Sequence, residues 1–228
     1  MDHAQLKSIP IFSGLDDTEF QRMAQVASIH RFRKDTVVFF EEEVGESFFL
    51  IHKGRVKVSR LSNSGKEIIL AILRVHDFFG EMSVLDNAPR SATVIAMEDT
   101  ELVKIRRSDF MKVMHDHPEI AIKMLATFSE RLRKANEKIG NLALLDVYGR
   151  VARVLLDMAS EQGIRRPDGT LSFRRPTHQE IANTIGTSRE TVSRTLSDLQ
   201  KRGYIDLVGK EIHLKEGLKD AMKAKLAP

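Results

Sequence analysis

The chain contains no cysteine. Disulfide bridges, thiol switches and iron–sulfur clusters held by thiolates are thereby excluded. Long apolar runs are missing too. The longest, such as Ile68-Ile69-Leu70-Ala71-Ile72-Leu73, fall far short of the roughly 20 residues that a bilayer-crossing helix needs. The sequence does not open on a basic flank followed by an apolar stretch, so no secretion signal is expected. Together these absences predict a cytoplasmic protein with no membrane partner. No nucleophile, base and orienting group are suggested by spacing, and an enzyme is not expected.

What is present suffices for two domains. The 228 residues are 42% hydrophobic, which allows a sizeable core. The net charge of +4 is unevenly spread. Residues 148–228 hold 15 Lys+Arg against 10 Asp+Glu, whereas residues 1–147 hold 21 against 22. A basic C-terminal part is compatible with a nucleic-acid partner and equally with ordinary surface charge.

The segment from Phe78 to Val94 has the composition of an anion cradle. Gly80 lets backbone approach a ligand, having no Cβ. The carboxylate of Glu81 accepts hydrogen bonds only, as from a sugar hydroxyl. Arg90 offers a planar fork of donors that suits a phosphate, with the Ser91 hydroxyl beside it. A nucleotide carries both hydroxyls and negative charge.

Around this segment, residues 30–107 alternate short runs rich in Val, Ile and Phe with turn residues. The runs are Thr36–Phe40, Ser47–His52, Arg55–Leu61, Lys66–Leu73, Ser91–Ala96 and Thr100–Ile105, with a hairpin turn expected at Ser64-Gly65. Such spacing predicts an antiparallel β-barrel or sandwich. A helix is expected before it, over 8–28, with Leu15, Phe20, Met23 and Val26 toward the core. From Pro118 to Leu145, Ala121, Leu125, Phe128, Leu132, Ala135, Ile139 and Leu142 recur at alternating steps of four and three, the seam of a coiled coil. The opposite face, including Glu130, Arg131 and Lys134, is polar. The seam packs on its own domain or on a second copy, and its regularity favours a parallel homodimer. His115-Asp116-His117 reads as a solvated loop rather than a metal cluster, because adjacent residues point apart on a helix.

After Leu145, Asp146 is placed to cap a helix through Val151, Val154, Leu155 and Met158. A loop over Gln162–Gly169 and a strand at Leu171–Phe173 follow. Thr177 and Glu180 have the spacing of a capping box. They open a helix with Ile181, Ala182 and Ile185 on one face. Gly186 suits the left-handed position that ends it. Ser188 caps a second helix to Arg202, closed by Gly203. Two helices with so short a turn make a helix-turn-helix. Val192, Leu196 and Leu199 face inward, and Arg189, Glu190, Ser193, Arg194 and Ser197 outward. Arg suits guanine O6 and N7, and Glu accepts from cytosine N4. The alternative is a solvated charged face. Tyr204–Val208 and Glu211–Leu214 around Gly209-Lys210 form a hairpin, or wing.

With both motifs in place, the chain resembles the Crp/Fnr family of bacterial transcription regulators, most closely its cyclic AMP receptor branch. The resemblance rests on Gly80-Glu81, Arg90-Ser91-Ala92, Asn141-Leu142-Ala143-Leu144-Leu145-Asp146-Val147 and Ser188-Arg189-Glu190-Thr191-Val192. It implies an α+β protein: an N-terminal eight-stranded, jelly-roll-like β-roll (1–117), a dimerisation helix and hinge (118–145) and a winged helix-turn-helix (146–228). It implies that Glu81 meets a ribose hydroxyl and that Arg90 and Ser91 meet a cyclic phosphate, with Gly80, Met82, Ser83 and Ala92 lining the site. Base contacts fall to Arg189, Glu190 and Arg194, and a palindrome of TGTGA half-sites follows. Thr177, His178, Gln179, Ser188 and Ser193 complete the DNA surface, and RNA polymerase is the implied protein partner.

The family's adenine-reading Thr-Ser pair is replaced here by Ala135 and Asn136. Asn136 offers both a donor and an acceptor, so cyclic AMP, cyclic GMP, cyclic di-GMP and loss of nucleotide dependence all stay open. A haem sensor would want an axial histidine. His76 is near the cassette, but the intact Gly80-Glu81 and Arg90 favour a nucleotide, and His76 reads as a loop residue. No metal, haem or iron–sulfur cluster is expected. A cyclic-nucleotide-binding regulator without DNA binding is the rival reading.

Overall fold

The computed structural model describes residues 25–226 together with Phe12, Asp16, Thr18 and Gln21, with side chains as far as Met222. The helix expected over 8–28 falls mostly outside these residues, as do Leu15, Phe20 and Met23. Val26, expected in the core, is instead 39% exposed.

Eight strands build the first part: β1 (Ser28–Phe32), β2 (Val37–Phe39), β3 (Ser47–Lys53), β4 (Val56–Leu61), β5 (Glu67–Leu73), β6 (Phe78–Phe79), β7 (Thr93–Ala96) and β8 (Thr100–Arg106). They form two antiparallel four-stranded sheets, ordered β1-β8-β3-β6 and β2-β7-β4-β5. Period-two geometry explains why β3 is nearly all apolar, since successive side chains leave opposite faces. Phe49 and Ile51 meet Phe39, Val56 and Val94 of the other sheet. Phe48 and Leu50 point the other way, onto Phe110, Ile120 and Met124. Phe48 stacks on Phe110 at 4.2 Å between centroids. The β4–β5 hairpin turns where expected, with Gly65 at φ 78°.

Helices α1 (Glu81–Asp86) and α2 (Arg107–Asp116) precede the long α3 (Pro118–Leu144). Two sequence expectations change here. His115 and Asp116 end α2 rather than lying in a loop, although both are exposed, and His117 is its C-cap. The long helix also carries a second apolar stripe. Ile120 and Met124 are 1% and 2% exposed in the β-roll core, and Phe128 sits edge-on to Phe78. Phe128 therefore faces its own sheets, not the expected seam. The two stripes are adjacent on the cylinder, and an alternating four–three pattern cannot separate them. What stays uncovered in the single chain is Ile122, Leu125, Leu132 and Ile139, each 62–67% exposed. Asn136 stands within this exposed stripe, four residues after Leu132 and three before Ile139.

The chain divides into two compact units inside α3, between Arg133 and Lys134. In the second, α4 (Val147–Gln162), α5 (His178–Ile185), α6 (Arg189–Lys201) and α7 (Gly217–Leu226) accompany a sheet ordered β11-β12-β10-β9. Its strands are β9 (Ile164–Arg165), β10 (Leu171–Arg174), β11 (Ile205–Val208) and β12 (Glu211–Leu214). The stretch read as a loop over Gln162–Gly169 thus contains β9, which pairs with β10 through Arg165 and Ile164. Val151, Leu155, Ile181, Val192, Leu196 and Ile212 share one core. Among the described residues, no helix is long and apolar enough to cross a membrane.

Candidate functional site

In the first unit, Gly80 adopts φ 78°, a left-handed value that glycine takes without strain. A Cβ there would lie 2.7 Å from Nη1 of Arg90. A side chain at 80 would be strained by this φ and would have to displace the Arg90 guanidinium. Arg90 is 5% exposed. It donates from Nη1 to the Gly80 carbonyl at 2.7 Å and from Nη2 to the Ser47 carbonyl at 2.8 Å. Its guanidinium lies 4.2 Å from the centre of the Phe39 ring. Its Nε–H is buried with no hydrogen-bond partner. Burial pushes its pKa down, against the pull of Glu81 and Glu43. Residue 90 is held from outside by backbone bonds: Glu42 N–H donates to the Arg90 carbonyl and Arg90 N–H to the Glu43 carbonyl, both at 2.9 Å.

Glu81 is equally buried, at 5% exposed. Its carboxylate accepts from Nη1 of Arg131 at 2.8 Å, while Nη2 of Arg131 donates to the Phe78 carbonyl at 2.5 Å. Burial pushes the Glu81 carboxyl above its ordinary range, opposed first by Arg131. Arg131 is the site residue that the sequence reading missed. The available signal was its place on the inward stripe, three residues after Phe128 and seven after Met124. Ser83 and Ala92 are buried beside these groups in the chain. Met82 is 52% exposed, and Ser91 is exposed with its hydroxyl 3.6 Å from the Met82 sulfur. Ala135 and Asn136 are exposed on α3 beyond the division between the units. His76 occupies an exposed turn, as read.

The cassette therefore buries a carboxylate and a guanidinium, and the long helix adds the partly exposed Arg131 to the carboxylate. Glu81 can accept from hydroxyls. The Nε–H of Arg90 is buried without an acceptor, and an unsatisfied buried donor costs about 1–3 kcal/mol. A phosphate oxygen is the acceptor that suits a guanidinium.

In the second unit, the capping box is complete: Glu180 N–H donates to Thr177 Oγ1 at 3.1 Å, and Thr177 N–H to Glu180 Oε2 at 2.6 Å. Gly186 ends α5 at φ 70°. Ser188 caps α6 by accepting from Thr191 N–H at 3.2 Å. Val192, Leu196 and Leu199 are buried, and Arg189, Glu190, Ser193 and Arg194 are exposed on the opposite side. The Glu190 carboxyl is held low by its own backbone N–H and by the Ser188 hydroxyl, with Arg189 and Arg194 adding charge. It stays an acceptor at neutral pH. His178 is half-buried at the start of α5, and Gln179 next to it is exposed and donates to Asn183 at 2.7 Å. The β11–β12 wing is tied to this end of the motif, because Arg175 N–H donates to the Lys210 carbonyl at 2.8 Å.

Comparison with known proteins identifies the two domains. The family model for the cyclic nucleotide-binding domain matches residues 29–117, and that for the Crp-like helix-turn-helix domain matches residues 149–221. The chain is 32% identical to a CRP-like cAMP-activated global transcriptional regulator of Mycobacterium tuberculosis, over 94% of its own length and 96% of that protein's. It is 36% identical to the cAMP-activated global transcriptional regulator CRP of Escherichia coli, over 81% and 88% respectively. A c-di-GMP-responsive global regulator from Xanthomonas campestris matches its structure with a TM-score of 0.76 and 25% identity, covering 87% of this chain and 99% of that one. The chain belongs to the Crp/Fnr family: it is a transcription regulator with a cyclic nucleotide-binding domain and a helix-turn-helix DNA-binding domain.

Proposed function

We propose that this regulator works as a cytoplasmic homodimer. Two copies pair through the 118–145 helix, bind cyclic AMP in the 1–117 domain, and read a palindromic TGTGA-type operator with the 146–228 domain. The observation that carries the ligand assignment is Arg90, whose buried Nε–H lacks an acceptor while Nη1 and Nη2 each hold the guanidinium on a backbone carbonyl. A cyclic phosphate supplies that acceptor, and Ser91 adds a hydroxyl. A ribose hydroxyl donates to Glu81, which Arg131 keeps in place.

The uncovered stripe Ile122, Leu125, Leu132 and Ile139 supports pairing with a second copy, since its spacing is that of a coiled-coil seam. His178 and Gln179 face phosphates, Arg189, Glu190 and Arg194 face base edges, and Thr177, Ser188 and Ser193 complete the DNA surface. RNA polymerase is the protein partner of the bound dimer. Nucleotide binding biases two arrangements of the dimer. Moving the balance from 1:99 to 99:1 takes about 5.5 kcal/mol of differential affinity.

Cyclic AMP is preferred over other ligands because the cAMP-activated relatives match over most of the chain. Cyclic di-GMP is the second reading, favoured by the likeness to the Xanthomonas regulator and by Ala135, which has no polar side chain for a base. Titration calorimetry with cyclic AMP, cyclic GMP and cyclic di-GMP decides between them. A mobility shift on a palindromic duplex, with and without the bound nucleotide, tests the output. Binding of a cyclic nucleotide without any shift would support the rival regulator that does not bind DNA.

A further inference from the structure

The elbow between α3 and α4 lies wholly within the second unit, and its backbone is tightly set. Leu145 N–H donates to the Asn141 carbonyl, and Asp146 caps α4 by accepting from Gly149 N–H at 2.7 Å. A Cβ on Gly149 would meet Asp146 and Leu145 side-chain atoms at 3.2–3.3 Å, so the turn has little slack. Beyond the turn, the tie between the two helices is ionic. Nη2 of Arg153, on α4, pairs with the Glu137 carboxylate on α3, and Nε lies 3.0 Å from the Asp157 carboxylate one turn further along α4. The Arg153 side chain is one-third exposed, so solvent screens it only in part. Burial pushes the Asp157 carboxyl up despite Arg153, with Glu137 and Glu161 acting in the same direction. Burial also pushes Lys138 on α3 down, against the pull of Asp157 and Glu161. Opposite charges on two helices thus share a half-desolvated space.

The inner face of α4, formed by Val151, Ala152, Leu155 and Ala159, is in the same core as Ile181 and Val192 of the helix-turn-helix. Any change in how α4 leaves α3 is therefore carried to α6 as a rigid-body movement. We propose that Arg153 is a positioning residue for DNA reading: its bridge from Glu137 to Asp157 braces the elbow and fixes the angle at which the recognition helix is presented. This deepens the proposed function and rests on that reading. Arg153 touches no nucleotide or base. It acts by restricting the conformations from which two recognition helices must be brought into register on one duplex.

The test compares wild type, Arg153→Gln, Glu137→Gln and the charge-reversed set Glu137→Arg, Arg153→Glu and Asp157→Arg, in which both ion pairs return with opposite sign. Three measurements are made on the full chain: cyclic AMP affinity by calorimetry, operator affinity by fluorescence anisotropy at saturating nucleotide, and hydrogen exchange across residues 141–150. Each single variant is expected to bind operator about tenfold more weakly, with faster exchange at the elbow and unchanged nucleotide affinity. The charge-reversed set is expected to recover most of both losses. Single variants that match wild type in exchange and in operator affinity overturn the brace, as does a reversed set that rescues neither. Should Arg153→Gln fail to fold, Glu137→Gln and the reversed set carry the test. If wild type itself ignores every operator, the functional reading fails, while exchange at the elbow still reports on the brace.

Discussion

Nη1 of Arg131 and Oε1 of Glu81 meet at 2.8 Å, although 50 residues of chain separate them. The pair fastens the long helix to the ligand cassette. The Glu81 side chain is 7% exposed and that of Arg131 30%. Breaking a fully buried pair costs about 3–5 kcal/mol, and partial exposure of the cation reduces this. Arg131→Gln should therefore lower unfolding free energy by about 2 kcal/mol, read as a lower urea midpoint. Adding Glu81→Gln should return part of the loss, because no buried carboxylate is left unpaired. Equal stability of wild type and Arg131→Gln would show that the pair is not structural.

Arg90 tests the phosphate role. Arg90→Leu should abolish the calorimetric signal for cyclic nucleotide while the protein remains dimeric. Arg90→Lys keeps the charge but cannot reach two carbonyls and an anion together, and should bind at least about tenfold more weakly. An isotherm unchanged by Arg90→Leu would remove the anion from this site.

Glu190 tests base reading. Glu190→Ala should relax sequence preference in a duplex selection experiment yet leave the slope of affinity against salt unaltered, since Glu190 neutralises no phosphate. An identical selection profile would argue that Glu190 is only a solvated surface group.

His178 gives a pH dependence with a definite sign. Burial pushes its imidazole below the ordinary value of 6.5, and the charges of Arg175 and Arg189 push the same way. The native value thus lies below the unfolded one. Its contribution to stability is complete above 6.5 and is lost as pH falls through that value toward the native one. A nearby phosphate favours the imidazolium instead. Operator binding should therefore take up a proton and tighten as pH falls from 7.5 toward about 6. His178→Gln should flatten that dependence. A wild-type profile already flat over this range would place His178 away from the phosphates.

The two stripes of the long helix should respond differently to charge. Leu132 and Ile139 are 62% and 64% exposed in one chain. Replacing both with Glu should leave each chain folded while analytical sedimentation shows monomers. Ile120 is 1% exposed, and Ile120→Glu should unfold the β-roll itself. A dimer that survives the double Glu replacement would mean that the seam is elsewhere.

Local signals made much of this protein legible. Caps, a left-handed glycine and a clean inward face placed α5 and α6 nearly to the residue, because each cue acts within one helical turn. Six of the eight β-roll strands were visible as apolar runs. β1 was not, since four of its five residues are exposed and give no alternation, and β6 is only two residues long. Helix α2 was hidden because Phe110 is its one buried residue. Within the site, Gly80, Glu81 and Arg90 were readable from spacing. Arg131 was not, because its partners are about fifty residues back in the chain and its neighbours on α3 are charged.

The burial of Ile120 and Met124 has an evolutionary corollary. The first turns of the long helix are interior parts of the β-roll, not a detachable tether. Gene fusions that cut before Pro118 would strip the sensor of its own filling and leave Phe48 and Phe110 facing water. Chimaeras that graft a foreign output onto this sensor have a permissive window downstream of Asn136 and upstream of the elbow, where the helix can be spliced in register with its heptads.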